Sequence, residues 1–182
     1  MSRTVRARQY WPLIAGFLMV ATALPVYAFN LDSNNPIKVE SDNARLDDQK
    51  GTATYTGSVR VTQGKAVLTA ERVVLHRGDG QSLNRMKATG EPATYEQPES
   101  PQGPAIYAEG ETIIYRAAAE RITFEHKALI RQRGDTFQGN RIVYDVAERV
   151  VTASSASDDD SDRVEMTIQP GRNSGNNNSS SD

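Results

Sequence analysis

The chain has 182 residues, no cysteine and a formal charge of −2. Without thiols it offers no disulfide, no thiolate metal site and no cysteine nucleophile. Without a basic excess it is a poor partner for nucleic acid.

The N-terminal segment is an address and not part of a fold. Arg3, Arg6 and Arg8 precede an apolar run over residues 13–24, Pro25 ends the run, and Val26-Tyr27-Ala28 places small residues at −3 and −1 of a cleavage site. That is the three-part plan of a secretory signal peptide. The run is shorter than the ~20 apolar residues of a membrane-spanning helix, and no cysteine follows it for lipid attachment. Residues 1–28 are therefore expected to be removed between Ala28 and Phe29. Cleaving 28 residues from 182 leaves 154, and removing three arginines from 21 basic residues leaves 18 against 23 acidic, a net −5. This is a one-domain length, able to bury roughly 70% of its unfolded surface without cross-links.

Strand signals dominate the rest. Apolar and polar residues alternate in Ile37-Lys38-Val39-Glu40, Val59-Arg60-Val61-Thr62, Arg121-Ile122-Thr123-Phe124 and Arg163-Val164-Glu165-Met166-Thr167-Ile168. Period two puts one face against a core and one in water. Turn residues separate the runs at Asp47–Gly51, 63–65, 77–80 and 133–135, the spacing of a sandwich, roll or barrel. One short helical segment is expected, over residues 116–120; it is too short to stand alone.

The chain also repeats. A shift of 69 residues lays 39–75 on 108–144 without a gap. Identities are few, but the apolar register agrees: Leu46 meets Tyr115, Ala53 meets Ile122, Tyr55 meets Phe124, Val61 meets Ile130, Leu68 meets Phe137 and Val73 meets Ile142. A duplicated strand–turn unit implies stacked β-layers over one continuous core. The Pro-rich insert at 96–104 cannot be a central strand and reads as a surface loop. Residues 171–182 contain no apolar side chain and read as a disordered tail. Asp158-Asp159-Asp160 lacks the spacing of a calcium loop and reads as a solvated turn.

Chemistry-bearing motifs are missing. His76 and His126 stand in no metal-ligand spacing and read as exposed turn residues; there is no nucleophile elbow, phosphate-binding loop or dinucleotide fingerprint. Glu109 and Glu111 share a strand face, which commonly just faces water. The expectation is a binding or scaffolding protein: no enzyme, no cofactor, no metal.

Four successive segments carry a resemblance. They are Asn35-Pro36-Ile37-Lys38-Val39-Glu40-Ser41-Asp42, Tyr55-Thr56-Gly57-Ser58-Val59-Arg60-Val61-Thr62-Gln63-Gly64, Ala70-Glu71-Arg72-Val73 and Ala88-Thr89-Gly90-Glu91-Pro92-Ala93-Thr94-Tyr95. In that order they resemble the OstA-like family of lipopolysaccharide-transport proteins. The second half joins through Ala108-Glu109-Gly110 and Gln138-Gly139-Asn140-Arg141-Ile142-Val143-Tyr144, so the resemblance spans about residues 36–169. Glu125-His126 departs from it, standing where a second Thr-Gly is expected.

The resemblance implies an all-β fold over 29–170, an open, twisted β-jelly roll of many short antiparallel strands. It implies a periplasmic carrier of lipopolysaccharide whose apolar groove holds the acyl chains of lipid A. It implies head-to-tail homo-oligomers, an inner-membrane partner of similar fold, and docking to the N-terminal domain of the outer-membrane translocon. Ile37, Val39, Tyr95, Ile113 and Tyr115 are expected to line the lipid path. Ile37 and Val39 at one end, and Val164, Met166 and Ile168 at the other, are expected on exposed edge strands. The alternative is a purely structural periplasmic module that scaffolds partners and takes no lipid. Alternation alone reads the same for a groove and a packed core.

Overall fold

A computed structural model describes residues 35–78, 82–100, 104–155 and 163–170. The signal peptide with its Ala28–Phe29 junction, the acidic run and the C-terminal tail lie outside these residues. Ten strands form one antiparallel sheet: β1 (Ile37–Glu40), β2 (Asn43–Asp47), β3 (Thr52–Gln63), β4 (Ala66–Arg77), β5 (Leu83–Gln97), β6 (Ile106–Arg116), β7 (Arg121–Gln132), β8 (Asp135–Asp145), β9 (Val150–Ser154) and β10 (Glu165–Thr167). The order is β1-β3-β4-β5-β6-β7-β8-β10, with β2 also on β3 and β9 also on β8. The sheet does not close on itself, so the expected open, all-β roll is what forms. The short helical segment is a single 3-10 turn, Ala117–Ala119.

Six of the strands, β3 to β8, run 11 to 15 residues. They are that long because they bend instead of stopping. Register slips between Thr56 and Val59, Thr69 and Arg72, Thr89 and Ala93, Glu109 and Thr112, and Glu125 and Ala128. The slips sit at one level across the sheet, and each extra residue adds a local bend. The sheet is thereby creased along a line perpendicular to its strands, into two walls. β1, the 59–63 half of β3, and β10 belong to the first wall. β2, the 52–56 half of β3, and β9 belong to the second.

The duplication is real at the level of bonds. β3 and β7 have bounds that differ by 69 at both ends. At the crease of β3, Gly57 and Ser58 take φ of 81° and 44°; at the equivalent crease of β7, His126 and Lys127 take 62° and 52°. The departure at Glu125-His126 therefore leaves the turn geometry intact. Each crease is pinned by its preceding segment. The Asp42 N–H donates to the Gly57 carbonyl at 3.0 Å, and Glu111, the residue 69 positions on, pairs with Lys127 at 2.8 Å.

Left-handed backbone costs a side-chain-bearing residue roughly 1–2 kcal/mol that glycine avoids. His126→Gly is thus expected to stabilise the fold by about 0.5–1 kcal/mol, after the extra freedom glycine brings to the unfolded chain. Chemical denaturation checks it; a loss of stability would show that the imidazole makes compensating contacts.

Candidate functional site

Because partners across antiparallel strands share a face, the register lists what each wall presents. On the first wall one row runs Val39–Val61–Leu68–Tyr95–Ala108–Ile130–Phe137–Met166, from β1 to β10 without a polar member. On the second wall one row runs Ala44–Tyr55–Val73–Ala88–Ile113–Phe124–Ile142–Ala153 and the next Leu46–Ala53–Leu75–Met86–Tyr115–Ile122–Tyr144–Val151. Their members on β3 to β8 join in one buried cluster with its packed neighbours, while Ala44, Leu46 and Met166 at the edges stay outside it. The two walls therefore face each other across a single apolar interior.

Tyr95, Ile113 and Tyr115 are buried in that interior, while Ile37 and Val39 pack against it from β1. All five share the inner face. Lys38 and Arg60 lie in the intervening rows, on the outer face. Between the walls is a nearly closed apolar cleft with about 10 Å³ of free space, lined by Tyr95, Ile106, Ile130 and Gln132 from one side and Ile122, Phe124, Tyr144 and Val151 from the other. Burial pushes the Tyr144 phenol up from its ordinary pKa, so it enters this interior uncharged.

The lips of the two walls differ. On the first, the row beyond Tyr95 contains Gln97, Ile106 and Gln132, and Ile37 sits opposite the buried Gln63. The Tyr95 hydroxyl donates to Gln97 Oε1 at 2.8 Å, and Gln63 Nε2 donates to the Asn35 carbonyl at 3.3 Å. This lip offers amides beside apolar side chains. On the second, the inner face ends on Leu83, Ala117 and Val146, which pack on the core, and the last paired row, on the outer face, runs His76–Arg85–Arg116–Arg121–Asp145. His76 is inside β4 and half-buried, not in a turn, and His126 is an exposed crease residue of β7. Among the described residues no group of side chains is arranged to hold a metal.

The edges complete the picture. β1 and β10 each have one neighbour in the sheet, as do β2 and β9. The exposed large apolar side chains among the described residues are Leu46, Val150, Val164, Met166 and Ile168, and each lies on or beside an edge strand. Alternation identified β1 and β10 as ends but missed β2 and β9, five residues each, which complete the second wall at both edges. It also left out Phe124, Ile130 and Tyr144 as cleft residues; the 69-residue shift, which lays Tyr55 on Phe124 and Val61 on Ile130, carried that signal for the first two.

Comparison with known proteins gives one answer. The family model for LptA/(LptD N-terminal domain) LPS transport protein matches residues 38–150. The lipopolysaccharide export system protein LptH of Pseudomonas aeruginosa is 36% identical over 163 residues, 87% of this chain and 93% of that protein. The lipopolysaccharide export system protein LptA of Escherichia coli K12 is 30% identical over 159 residues, 87% of this chain and 84% of that protein. The crystal structure of LptH, described as the LptA homologous periplasmic component of the lipopolysaccharide transport device of Pseudomonas aeruginosa, matches with a TM-score of 0.67 at 37% identity, over 75% of this chain and 96% of that one.

Proposed function

This chain belongs to the LptA/LptD N-terminal-domain family of lipopolysaccharide transport proteins, and from that premise we propose that its two-walled interior is the lipid path of a periplasmic carrier that forms one link between inner and outer membranes. The observation that carries the reading is the unbroken apolar row from Val39 to Met166. It runs perpendicular to the strands, so a lipid moving along it passes from one edge of the sheet to the other. Eight strands at ~4.8 Å spacing make a path of about 38 Å per copy.

Acyl chains occupy the interior, touching Ile37, Val39, Tyr95, Ile113 and Tyr115, and the sugars stay at the lips. Burial is worth roughly 0.8 kcal/mol per methylene, so ten methylenes hold a lipid by about 8 kcal/mol. A site of that depth releases its cargo only to a similar site, which is what a neighbouring copy or a partner of similar fold supplies. The protein acts as a passive, non-enzymatic conduit. An inner-membrane component of similar fold joins the β1/β2 edge, the N-terminal domain of the outer-membrane translocon joins the β9/β10 edge, and further copies insert between them.

The tight packing of Tyr95, Ile113 and Tyr115, each at most 3% exposed, favours the second reading, a structural module whose interior is only a core. Photo-crosslinking separates the two. A photoreactive residue at Ile37, Val39, Tyr95, Ile113 or Tyr115 is expected to capture lipopolysaccharide, and one at Lys38 or Arg60 is not. No capture at any inner position leaves the structural module; capture only at Lys38 or Arg60 reverses the faces.

A further inference from the structure

The second lip carries an arrangement that folding alone does not explain. Arg85 on β5 lies directly opposite Arg116 on β6, and Arg116 directly opposite Arg121 on β7. Like charges placed opposite one another destabilise a sheet, and this row puts three guanidiniums side by side in an acidic chain. One carboxylate relieves it. Asp145 accepts from Arg121 Nε at 3.0 Å, and its other oxygen is engaged by the Glu148 N–H at 3.0 Å. Those two contacts, the backbone one foremost, hold the Asp145 carboxyl below its ordinary range. Among the described residues Arg85 and Arg116 pair with no carboxylate, nor does Glu120 on the adjoining turn reach them. Arg85 Nε is moreover a buried donor with no acceptor.

The row's position gives it a use. Arg116 ends β6, Arg121 begins β7, and Arg85 is two residues into β5. One residue further in, on the other face, Met86, Tyr115 and Ile122 are at most 3% exposed. The arginines thus stand on the outer face at the rim of the second wall, one residue from the apolar interior, and a long arginine stem can turn over such a rim while keeping its head in water. A planar fork of N–H donors matches a phosphate with two parallel bonds.

We infer that Arg85, Arg116 and Arg121 form a headgroup subsite that takes a phosphate of the glycolipid whose acyl chains lie between the walls. The inference rests on the carrier reading above. The anion supplies the counter-charge the row lacks, and the site fixes which way the sugar faces, toward the second wall and away from the glutamine lip. The row recurs on three neighbouring strands, so a phosphate can be handed from one guanidinium to the next as the lipid advances along the groove.

The test uses the mature full chain, with lipid A and its dephosphorylated form as probes of equal acyl content. Wild type is expected to bind the phosphorylated lipid about tenfold more tightly, the worth of one charge-assisted bidentate contact. The double variant Arg85→Gln/Arg116→Gln should lose that preference and bind the dephosphorylated lipid as wild type does. Arg116→Gln alone, at an exposed position, should lose part of it with the melting temperature unchanged or raised, since a like charge is removed. Arg60→Gln, on the outer face of the first wall, should change nothing. If wild type and the double variant discriminate the two lipids equally, the headgroup subsite is wrong and the carrier stands. If wild type takes up neither lipid, the carrier reading fails and the subsite with it.

Discussion

Phe124→Ala is expected to cost about 3–5 kcal/mol of folding stability, the usual range for emptying a buried aromatic site, and to lose much of that deficit when lipopolysaccharide is present. Phe124 is 1% exposed, sits in the row of the second wall next to the crease, between Ile113 and Ile142, and borders the cleft. In the unliganded protein its removal leaves a void that the creased sheet can only partly collapse, because bonded strands hold the backbone on both sides. An acyl chain entering between the walls refills that void. Ligand that binds only the folded state adds stability as RT ln(1 + [L]/Kd), and here it also replaces the lost contacts, so its stabilising effect is larger on the variant than on wild type. Urea titrations of both proteins with and without the lipid measure this. Equal stabilisation of the two would place the acyl chains away from Phe124. No stabilisation of either would turn the interior back into a plain core.

How much of this was legible in sequence depends on what kind of signal carried it. Alternation in Ile37-Lys38-Val39-Glu40 and in Arg121-Ile122-Thr123-Phe124 assigned faces correctly, since a strand has a period of two whatever surrounds it. The 69-residue shift was stronger still, because β7 repeats β3 residue for residue in length and in crease position. What alternation could not carry was the crease. At a bulge the period breaks, so Leu68 and Val73 of β4, an odd number of residues apart, serve the same interior from different walls, and a reader counting by twos sees two short strands where one bent strand runs. His126 and Lys127 hid the second crease further, by adopting a backbone that composition assigns to glycine. The arginine lip was invisible for another reason. Arg85 is 31 residues from Arg116, with Arg121 five further on, and only the register brings the three into one row.

The edges lead to the largest expected effect on assembly. Deleting residues 164–169 should abolish concentration-dependent oligomers and docking to the outer-membrane partner while leaving a folded β-domain. β10 holds three residues, Glu165, Met166 and Thr167, on the Thr136–Gln138 segment of β8, and the Gln169 N–H donates to Asp135 Oδ1 at 2.9 Å. None of the deleted residues belongs to the buried cluster, so the fold loses an outer strand and keeps its interior. What it gives up is an edge with unpaired backbone groups, the template for strand addition. It also gives up Val164, Met166 and Ile168, which are 40%, 53% and 64% exposed. Covering three such side chains at about 1.5–3 kcal/mol each, discounted for what they already bury, supplies roughly 2–5 kcal/mol, about two to three orders of magnitude in association. Met166 ends the row that begins at Val39. A neighbour adding its β1 to β10 therefore sets its own Val39 next to Met166 and continues the groove across the joint. The two edges differ, so the contact is heterologous and propagates instead of closing as a dimer. Met166→Pro tests the same joint without shortening the chain, because residues 165 and 167 turn their N–H groups toward β8 while that of Met166 faces outward, where proline removes an edge donor. Light scattering after size exclusion reads both variants. A surviving ladder of oligomers in the deletion protein would move the joint to β9, whose exposed Val150 marks the other half of that end, and a Val150→Pro variant would then be the one to lose the ladder.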